Sequence, residues 1–267
     1  MLPTLSDVSL ADDLSRKASS LLNGIRENCR AKGITGREVG DLGDKSSETL
    51  ICSTLREERP DDAILSEEQT VDDLGRLKAN RVWIIDPLDG TREFTMFERK
   101  DWAVHIALWE RVESQDFPGE GRIAIGVVAL PALGMVFNSA KVVLEAPSSA
   151  SRTRVLVSGS RPPSWIEEFG SEVNAQIIAM GSAGAKTMEV VMGRADAYVH
   201  AGGQYEWDSA APVGVALAAG LHASRLDGSE LKYNQENPYL PDLLICRPEY
   251  KDQLLRAAQR FGDLHSA

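Results

Sequence analysis

The sequence has few cysteines and no long uninterrupted apolar run, and each absence excludes a class of protein. Its three cysteines, Cys29, Cys52 and Cys246, are odd in number and widely spaced, so they match neither a disulfide framework nor a zinc site. The longest apolar stretch, residues 210–221, contains a proline and two glycines and is too short to span a bilayer. The N-terminus lacks the charge and hydropathy pattern of a signal peptide. We therefore expect a cytoplasmic protein without a membrane partner.

Basic residues are also scarce, because 29 Lys and Arg stand against 40 Asp and Glu and give a net charge of −11. Proteins that bind nucleic-acid polymers need a basic face to displace counterions, so we exclude such a partner. A small phosphorylated metabolite remains compatible, since bound divalent cations can invert the local charge of an acidic site. The chain length allows one large domain or two small ones.

The apolar pattern predicts an α+β N-terminal half and an α/β C-terminal half. In the first half we predict helices at 5–30 and 46–58, joined by a glycine-rich connection at 33–43, and strands at 63–65, 82–85, 102–109, 122–130, 134–138 and 141–145. A small polar stretch at 146–151 marks the junction. In the second half we predict strands at 154–157, 176–180, 196–199 and 243–245 that alternate with helices at 164–173, 188–192, 207–219 and 248–261. The prediction is one compact catalytic unit with a metal- and phosphate-binding half (1–145) and a substrate half (146–267).

The hexapeptide Asp86-Pro87-Leu88-Asp89-Gly90-Thr91 carries the strongest functional signal. It follows an apolar run that we predict to be a buried strand, and its proline restricts the backbone between two carboxylates. Carboxylate and carbonyl oxygens suit Mg²⁺, and the N–H groups of the glycine and threonine can hold a phosphate. A D-x-x-D pair alone would suggest an acidic turn, but the complete hexapeptide after a buried strand favours a metal and phosphate site.

Four further features gain meaning beside the hexapeptide, although each has an ordinary structural interpretation. Asp44, at the predicted start of the second helix, caps that helix or polarises a water. Glu67 follows a short strand and would alone suggest a solvated turn. Asp208 lies near the positive end of a small-residue helix, where it would otherwise be a cap. The turn 181–186 joins a strand to a helix, where anions bind, and Lys186 would otherwise be a surface lysine.

Other familiar motifs do not fit. The segment 184–187 departs from the spacing of a P-loop, and the chain has no nucleophile elbow. The histidines show no metal-ligand spacing, and His105 lies in an apolar strand. We predict that His105 is a core residue.

Together these segments resemble the inositol monophosphatase superfamily of Mg²⁺-dependent, lithium-sensitive phosphatases. The D-P-[LI]-D-G-T signature, with the strand end before it, is met at 85–91, and the acidic pair after a short strand is met at 67–68. The W-D-x-A-A helix start is met at 207–211, and the G-S…K and G-R-A-D-x-Y features at 181–198. The matches span nearly the whole chain in the right order. The resemblance implies a layered α-β-α-β-α sandwich and, by analogy, a homodimer.

The resemblance also implies a site with two or three Mg²⁺ ions. Its metal ligands would be Glu67, Asp86, the Leu88 carbonyl, Asp89 and Asp208. Asp44 and the Thr91 hydroxyl would orient or deprotonate the attacking water. The substrate-binding residues would be Glu67, Leu88, Asp89, Gly90, Thr91, Ser158, Arg161, Gly181, Ser182, Lys186, His200 and Asp208.

Within the superfamily the sequence most resembles the CysQ-like 3′-phosphoadenosine 5′-phosphate phosphatases, through L-S-E-E at 65–68 and V-S-x-S at 157–160. This implies removal of the 3′-phosphate to give AMP by direct in-line attack of water, in sulfate assimilation. Three departures are visible. Arg161 replaces a usual histidine and His200 a usual arginine, an exchange that we expect to preserve a cationic clamp. The pair 40–41 reads Gly-Asp where the family usually has Val-Thr.

Two alternatives remain open from the sequence. One is the same chemistry on inositol 1-phosphate or fructose 1,6-bisphosphate. The other is a non-catalytic protein that binds a phosphorylated metabolite, which we would expect to have lost a metal ligand. Every position that matches a metal ligand of the family carries a residue that can bind a metal.

Overall fold

The first half of the chain forms two long helices and a five-stranded sheet. The computed structural model describes residues 5–69, 74–112 and 120–262. Its first elements are α1 (Leu5–Lys32), α2 (Arg37–Glu58), β1 (Ala63–Ser66), β2 (Arg81–Asp89), α3 (Thr91–Thr95), β3 (Ala103–Arg111), β4 (Gly121–Leu130) and β5 (Met135–Asn138). The strands lie in chain order; β1 and β2 are parallel, and every later neighbouring pair is antiparallel.

The second half forms another five-stranded sheet, of order β7-β6-β8-β10-β9. Its elements are β6 (Thr153–Ser158), α4 (Ile166–Glu172), β7 (Ala175–Met180), α5 (Ala183–Val191), β8 (Ala197–Tyr205), α6 (Glu206–Ala218), β9 (His222–Ser224), β10 (Tyr239–Cys246) and α7 (Lys251–Gly262). Strand β6 is parallel to β7 and β8, whereas β10 is antiparallel to β8 and β9. Short 3₁₀ turns lie at Leu74–Lys78, Pro131–Leu133 and Pro248–Tyr250.

Three apolar clusters join these elements into five layers. Alternation along β2 explains the first two, because successive side chains of a strand point to opposite faces. Trp83 belongs to the cluster that includes side chains of α1 and α2, and Ile84 belongs to the cluster that includes side chains of α5, α6 and the second sheet. The third cluster lies between the outer face of the second sheet and helices α4 and α7. The predicted α-β-α-β-α sandwich is therefore confirmed. The predicted division at 145/146 falls between the two sheets. The assignment of a separate function to each half stays a prediction.

Two predicted elements were wrong. Helix α2 begins at Arg37, nine residues before the predicted start, because its glycines serve close packing rather than a loop. A Cβ atom at Gly43 would lie 2.7 Å from the Phe94 ring. The predicted strand at 141–145 is also absent from the described secondary structure, since the Glu145 N–H donates to the Val191 carbonyl at the end of α5 instead of to a strand.

Two expectations from composition can be compared with the structure. All three cysteines are buried and unpaired. Within the described ranges, no helix has both the length and the apolar character needed to cross a membrane.

Candidate active site

Two adjacent strand ends bring the first acids together. Strands β1 and β2 are parallel, so their carboxyl ends lie at the same edge of the sheet, and the Glu67 N–H donates to the Ile85 carbonyl over 3.3 Å. Pairing of β2 with β3 is irregular between Asp86 and Asp89, where Pro87 has no N–H to donate. Both aspartates therefore reach a cavity of about 220 Å³. This catalytic cavity is lined by Glu67, Asp86, Leu88, Asp89, Gly90, Thr91, Arg92, Glu93, Ser158, Ser160, Arg161, Gly181, Ser182, Ala183, Lys186, Tyr198, His200, Gln204 and Asp208.

Asp86 is held rigidly inside the irregular stretch. Its side chain is 1% exposed, and one carboxylate oxygen accepts the Leu88 N–H over 3.0 Å. The Ser47 hydroxyl of α2 donates to the Pro87 carbonyl over 2.8 Å. Helix α2 thus fixes the turn between the two aspartates.

Asp89 links the first sheet to helix α5. Its Oδ2 accepts the Ser182 hydroxyl over 2.5 Å and the Gly184 N–H over 2.9 Å. Ser182 in turn accepts the Ala185 N–H and caps α5. The predicted anion-binding turn at 181–186 is therefore bonded directly to a predicted metal ligand.

Thr91 connects the hexapeptide to Asp44. The Thr91 hydroxyl lies 3.1 Å from both the Asp44 carboxylate and the Leu88 carbonyl. Gly90 adopts φ +85°, and a Cβ atom there would lie 3.2 Å from the Asp101 carbonyl and from Ser182, so glycine suits this turn. Asp44 lies inside α2 rather than at its start, which corrects its interpretation as a helix cap.

Asp208 reaches the cavity from the first turn of α6. Its Oδ2 accepts the Tyr205 N–H over 2.6 Å and forms a capping box at the helix start. Helix α6 packs against the first sheet, and His105 Nδ1 lies 3.1 Å from the Trp207 carbonyl.

His105 is fully buried, as predicted for a core residue, but it also faces the acids. Its position on β3 is directly opposite Asp86, and its Nε2 lies 3.2 Å from Asp89 Oδ2. The three side chains can each offer one metal-ligand atom, and these atoms lie within 4.8 Å of one another. The sequence did not reveal this role, because the cross-strand register emerges only from the folded sheet.

Mutual repulsion and loss of hydration shift the titration of these acids. Burial, then the charges of Glu67 and Asp89, raise the pKa of Asp86 well above its usual value. Burial, then the Asp89 charge, raises the pKa of Asp208 to about 6. Glu67 is exposed to solvent, but the protein atoms around its carboxyl group remove part of its hydration. This loss of hydration, and then the Asp208 charge, raise the pKa of Glu67 to about 8.

Asp89 and Asp44 behave differently from each other. Burial opposes ionisation of Asp89, but contacts with His105, Lys186 and Ser182 outweigh it and lower the pKa. Burial, then repulsion from Glu68, raises the pKa of Asp44 to about 7. These carboxylates repel one another when they are ionised at the same time. A bound divalent cation would offset that repulsion, because its positive charge favours the ionised form of each carboxylate. Hard oxygen donors of this kind suit Mg²⁺.

The opposite wall carries the predicted substrate contacts. Lys186 is buried, not on the surface, and its Nζ donates to the Ser182 carbonyl over 2.8 Å. Burial lowers the pKa of Lys186 to about 8 despite the nearby Asp89 and Asp208 carboxylates. The Ser158 hydroxyl accepts the Arg161 N–H over 3.1 Å.

His200 does not supply the cation that was expected of it. The ring is buried and its Nε2 lies 2.9 Å from the Gly203 carbonyl. Burial lowers the pKa of His200 from 6.5, so the ring is neutral at neutral pH. The cationic clamp stays a prediction, and within it Arg161 would be the cation.

A second cavity of about 570 Å³ adjoins the first. Its lining is Arg161, Pro162, Pro163, Ser164, Trp165, Ala201, Gly202, Leu226, Asp227, Pro241, Asp242, Ala258 and Gln259. It holds none of the clustered acids of the catalytic cavity. Arg161 lines both cavities and stands at their boundary.

Sequence reasoning also missed several residues that line the catalytic cavity. Tyr198 and Gln204 reach the catalytic cavity from β8, the strand that also carries His200. The two-residue spacing of Tyr198 and His200 was a usable signal, since residues i and i+2 of a strand share a face. Glu93 and Ser160 follow predicted site residues by two positions and carried no separate signal.

Sequence relatives agree with this architecture. The profile of the inositol monophosphatase family matches residues 11–262. A Mycobacterium leprae (strain TN) protein named 3′-phosphoadenosine 5′-phosphate phosphatase is 51% identical over 254 residues, which cover 94% of this chain and 93% of the relative. The 3′(2′),5′-bisphosphate nucleotidase CysQ of Escherichia coli (strain K12) is 29% identical over 244 residues, covering 85% and 94% of the two chains.

Solved structures share the fold. CysQ from Bacteroides thetaiotaomicron superposes with a TM-score of 0.72 at 23% identity, covering 91% of this chain and 97% of that one. Staphylococcal IMPase-II gives a TM-score of 0.72 at 21% identity, with 98% of both chains covered. At these identities the likeness concerns the fold alone. The chain belongs to the inositol monophosphatase family and is an enzyme of the phosphatase class, as its motifs predicted.

Proposed function

We propose that the protein is a Mg²⁺-dependent phosphomonoesterase that removes the 3′-phosphate of 3′-phosphoadenosine 5′-phosphate and yields AMP. The observation that carries the proposal is the convergence of Glu67, Asp86, Asp89 and Asp208 on one cavity. The 51% identical relative bears the name of that activity and supports the choice of substrate.

The acids of the catalytic cavity are the proposed metal ligands. Glu67, Asp86, the Leu88 carbonyl, Asp89 and Asp208 would hold two or three Mg²⁺ ions. When bound, such ions supply positive charge that stabilises a transferring phosphoryl group and activates water. Their charge would also relieve the repulsion that raises the pKa of Asp86. An alternative non-catalytic binding protein predicts a missing acid, and all four carboxylates are present.

Asp44 and Thr91 are the proposed proton-handling pair. The Thr91 hydroxyl donates to Asp44 over 3.1 Å and lies equally close to the Leu88 carbonyl at the cavity wall. The raised pKa of Asp44, about 7, suits a group that accepts a proton from the attacking water near neutral pH. The backbone N–H groups of Gly90 and Thr91 would hold the phosphate in line with that water.

The two adjoining cavities fit the two parts of a nucleotide bisphosphate. The catalytic cavity, about 220 Å³, would take the 3′-phosphate and the ions. The larger cavity, about 570 Å³ and partly lined by prolines and Trp165, would take the adenine. Arg161 at the boundary would pair with the 5′-phosphate, together with Ser158. Lys186, whose Nζ already donates to the Ser182 carbonyl, would act on the bound substrate through its charge. Inositol 1-phosphate has no group to fill the larger cavity.

The proposal is tested by phosphate release from three substrates with and without Mg²⁺. We expect 3′-phosphoadenosine 5′-phosphate to exceed inositol 1-phosphate and fructose 1,6-bisphosphate in kcat/KM, and all rates to vanish in EDTA. The variant Arg161→Met should lose affinity for the nucleotide while its low rate on inositol 1-phosphate persists. A preference for either of the other substrates would overturn the nucleotide assignment and leave the phosphatase chemistry.

The cellular setting is proposed by analogy with the family. It comprises a role in sulfate assimilation, a cytoplasmic location, inhibition by lithium and a homodimeric state. Sedimentation of the purified protein tests the dimer, and titration of the Mg²⁺-dependent rate with LiCl tests the inhibition.

A further inference from the structure

Gln204 is a polar side chain that the mechanism does not use. It lies on β8 opposite Leu240 of β10, is 5% exposed, and lines the catalytic cavity. The same strand contributes Tyr198 and His200 to that wall. Gln204 thus stands among residues that face the substrate.

Both polar atoms of the Gln204 amide lack a hydrogen-bond partner in the part of the chain that the structure describes. Nε2 and Oε1 are each buried. Native proteins keep few buried polar groups without partners, because each one costs folding free energy. Two neighbouring polar groups on this wall have partners, since Lys186 donates to the Ser182 carbonyl and His200 contacts the Gly203 carbonyl. The Gln204 amide belongs to a residue that lines the cavity, so a bound ligand can supply the partner that the protein does not.

The chemistry of an amide limits what that ligand can be. A carboxamide offers two donor hydrogens and one acceptor oxygen. A phosphate dianion only accepts, and would leave Oε1 unpaired beside its own oxygens. A cation would use only Oε1. A hydroxyl both donates and accepts, so it can satisfy both ends of the amide.

The position of Gln204 indicates which part of the substrate carries that hydroxyl. Gln204 lines the catalytic cavity, whereas its strand neighbours Ala201 and Gly202 line the larger cavity. A group that joins the phosphate in one cavity to the base in the other is a sugar. The amide is therefore placed for a sugar hydroxyl next to the phosphate ester.

We propose that Gln204 is a specificity-determining residue that hydrogen-bonds the hydroxyl neighbouring the cleaved ester. The proposal rests on the proposed phosphatase function. For 3′-phosphoadenosine 5′-phosphate the hydroxyl is the ribose 2′-OH.

The test compares 3′-phosphoadenosine 5′-phosphate with its 2′-deoxy analogue. We expect wild-type kcat/KM to favour the ribonucleotide by about 10- to 100-fold, the usual effect of leaving one buried polar group unpaired. The variant Gln204→Met, similar in length and apolar, should act on both substrates at the wild-type deoxy rate. Gln176→Met, on the exposed part of β7, is the matched control and should keep the wild-type ratio.

Stability gives a readout that does not depend on turnover. Gln204→Met removes an unpaired buried amide, so we expect a higher Tm than wild type without ligand. An equal loss on both substrates, or an unchanged ratio with Gln204→Met, would overturn the proposal and indicate a packing role or a bound water. If the wild type released no phosphate from any substrate, the proposed function would fail instead. The dissociation constants of 3′-phosphoadenosine 5′-phosphate and its 2′-deoxy analogue, measured by calorimetry, would then test the role of Gln204 through their ratio.

Discussion

His105 Nε2 lies 3.2 Å from Asp89 Oδ2, deep between the first sheet and helix α6. The other ring nitrogen lies 3.1 Å from the Trp207 carbonyl, one residue before Asp208. Because a carbonyl only accepts, Nδ1 carries a proton, and the ring joins the β2 acids to the helix that presents Asp208. His105 thus lies between two acids that are far apart in sequence, bonded to the helix that carries one and 3.2 Å from the other.

Removal of this link should weaken metal binding. We expect His105→Leu to raise the Mg²⁺ concentration for half-maximal activity by about 10- to 100-fold, the usual effect of losing a partner of a metal ligand. The measurement is activity as a function of Mg²⁺, and His222→Leu, on β9, is the control. An unchanged Mg²⁺ requirement in a folded His105→Leu protein would mean that the ring only fills space.

Neutralising one cavity acid should separate folding from activity. Asp208→Asn keeps an oxygen that can accept the Tyr205 N–H, so we expect α6 to remain capped. It removes one of several mutually repelling charges, so the Tm in EDTA should equal or exceed that of wild type. With saturating Mg²⁺ the rate should fall by about 10³-fold or more.

A matched control for Asp208→Asn is available at another helix start. Asp252 lies in the first turn of α7 and is exposed, so Asp252→Asn should retain full activity. Near wild-type turnover by Asp208→Asn would remove this residue from the proposed ligands.

The raised pKa values predict how the metal-free protein responds to pH. A carboxyl whose pKa is higher in the folded state stabilises the fold fully below its unfolded value, and this contribution is lost as pH rises through the folded value. These values are about 6 for Asp208, about 7 for Asp44 and about 8 for Glu67. The Tm in EDTA should therefore fall from about pH 4, near the unfolded pKa of these carboxyls, to about pH 8.

Mg²⁺ should abolish that decline, because it binds the ionised carboxylates. The check is thermal unfolding across this pH range with EDTA and with Mg²⁺. A metal-free Tm that rises with pH would contradict the repulsion within the cluster.

The packing of α2 against the hexapeptide can be tested at a glycine. A Cβ atom at Gly43 would lie 2.7 Å from Phe94 Cε1 and 2.9 Å from Leu88 Cδ2. We expect Gly43→Ala to lower the free energy of unfolding by about 1–3 kcal/mol. Gly24→Ala in α1 meets no atom within 4 Å and should raise it by up to about 1 kcal/mol. Equal effects in urea unfolding would show that Gly43 is not at a close contact.

Local patterns predicted much of the fold and of the acidic cluster. The hexapeptide contains a proline and two acids and directly follows an apolar strand. All of these features lie next to one another in the sequence. The five layers followed from motifs in a familiar order. Glu67 and Asp208 each lie at the end of a predicted element, but they were assigned as metal ligands only through the resemblance to the family motifs.

What could not be predicted depends on contacts between distant segments. The glycines of α2 suggested a loop, and only their contacts with α3 and Leu88 explain why they lie in a helix. Lys186 looks like a surface residue until α5 docks over the first sheet. The neutral state of His200 depends on burial that no local pattern reports. These are tertiary effects that override local propensity.

The most direct test of the account is the location of divalent cations by anomalous diffraction from crystals grown with Mn²⁺ and phosphate. We predict at least two peaks in the catalytic cavity, bound by Asp86, Asp89, Asp208 and Glu67, with the phosphate beside Gly90 and Thr91. Ordered crystals in which this cavity holds no anomalous peak, while Mn²⁺ supports activity, would contradict it.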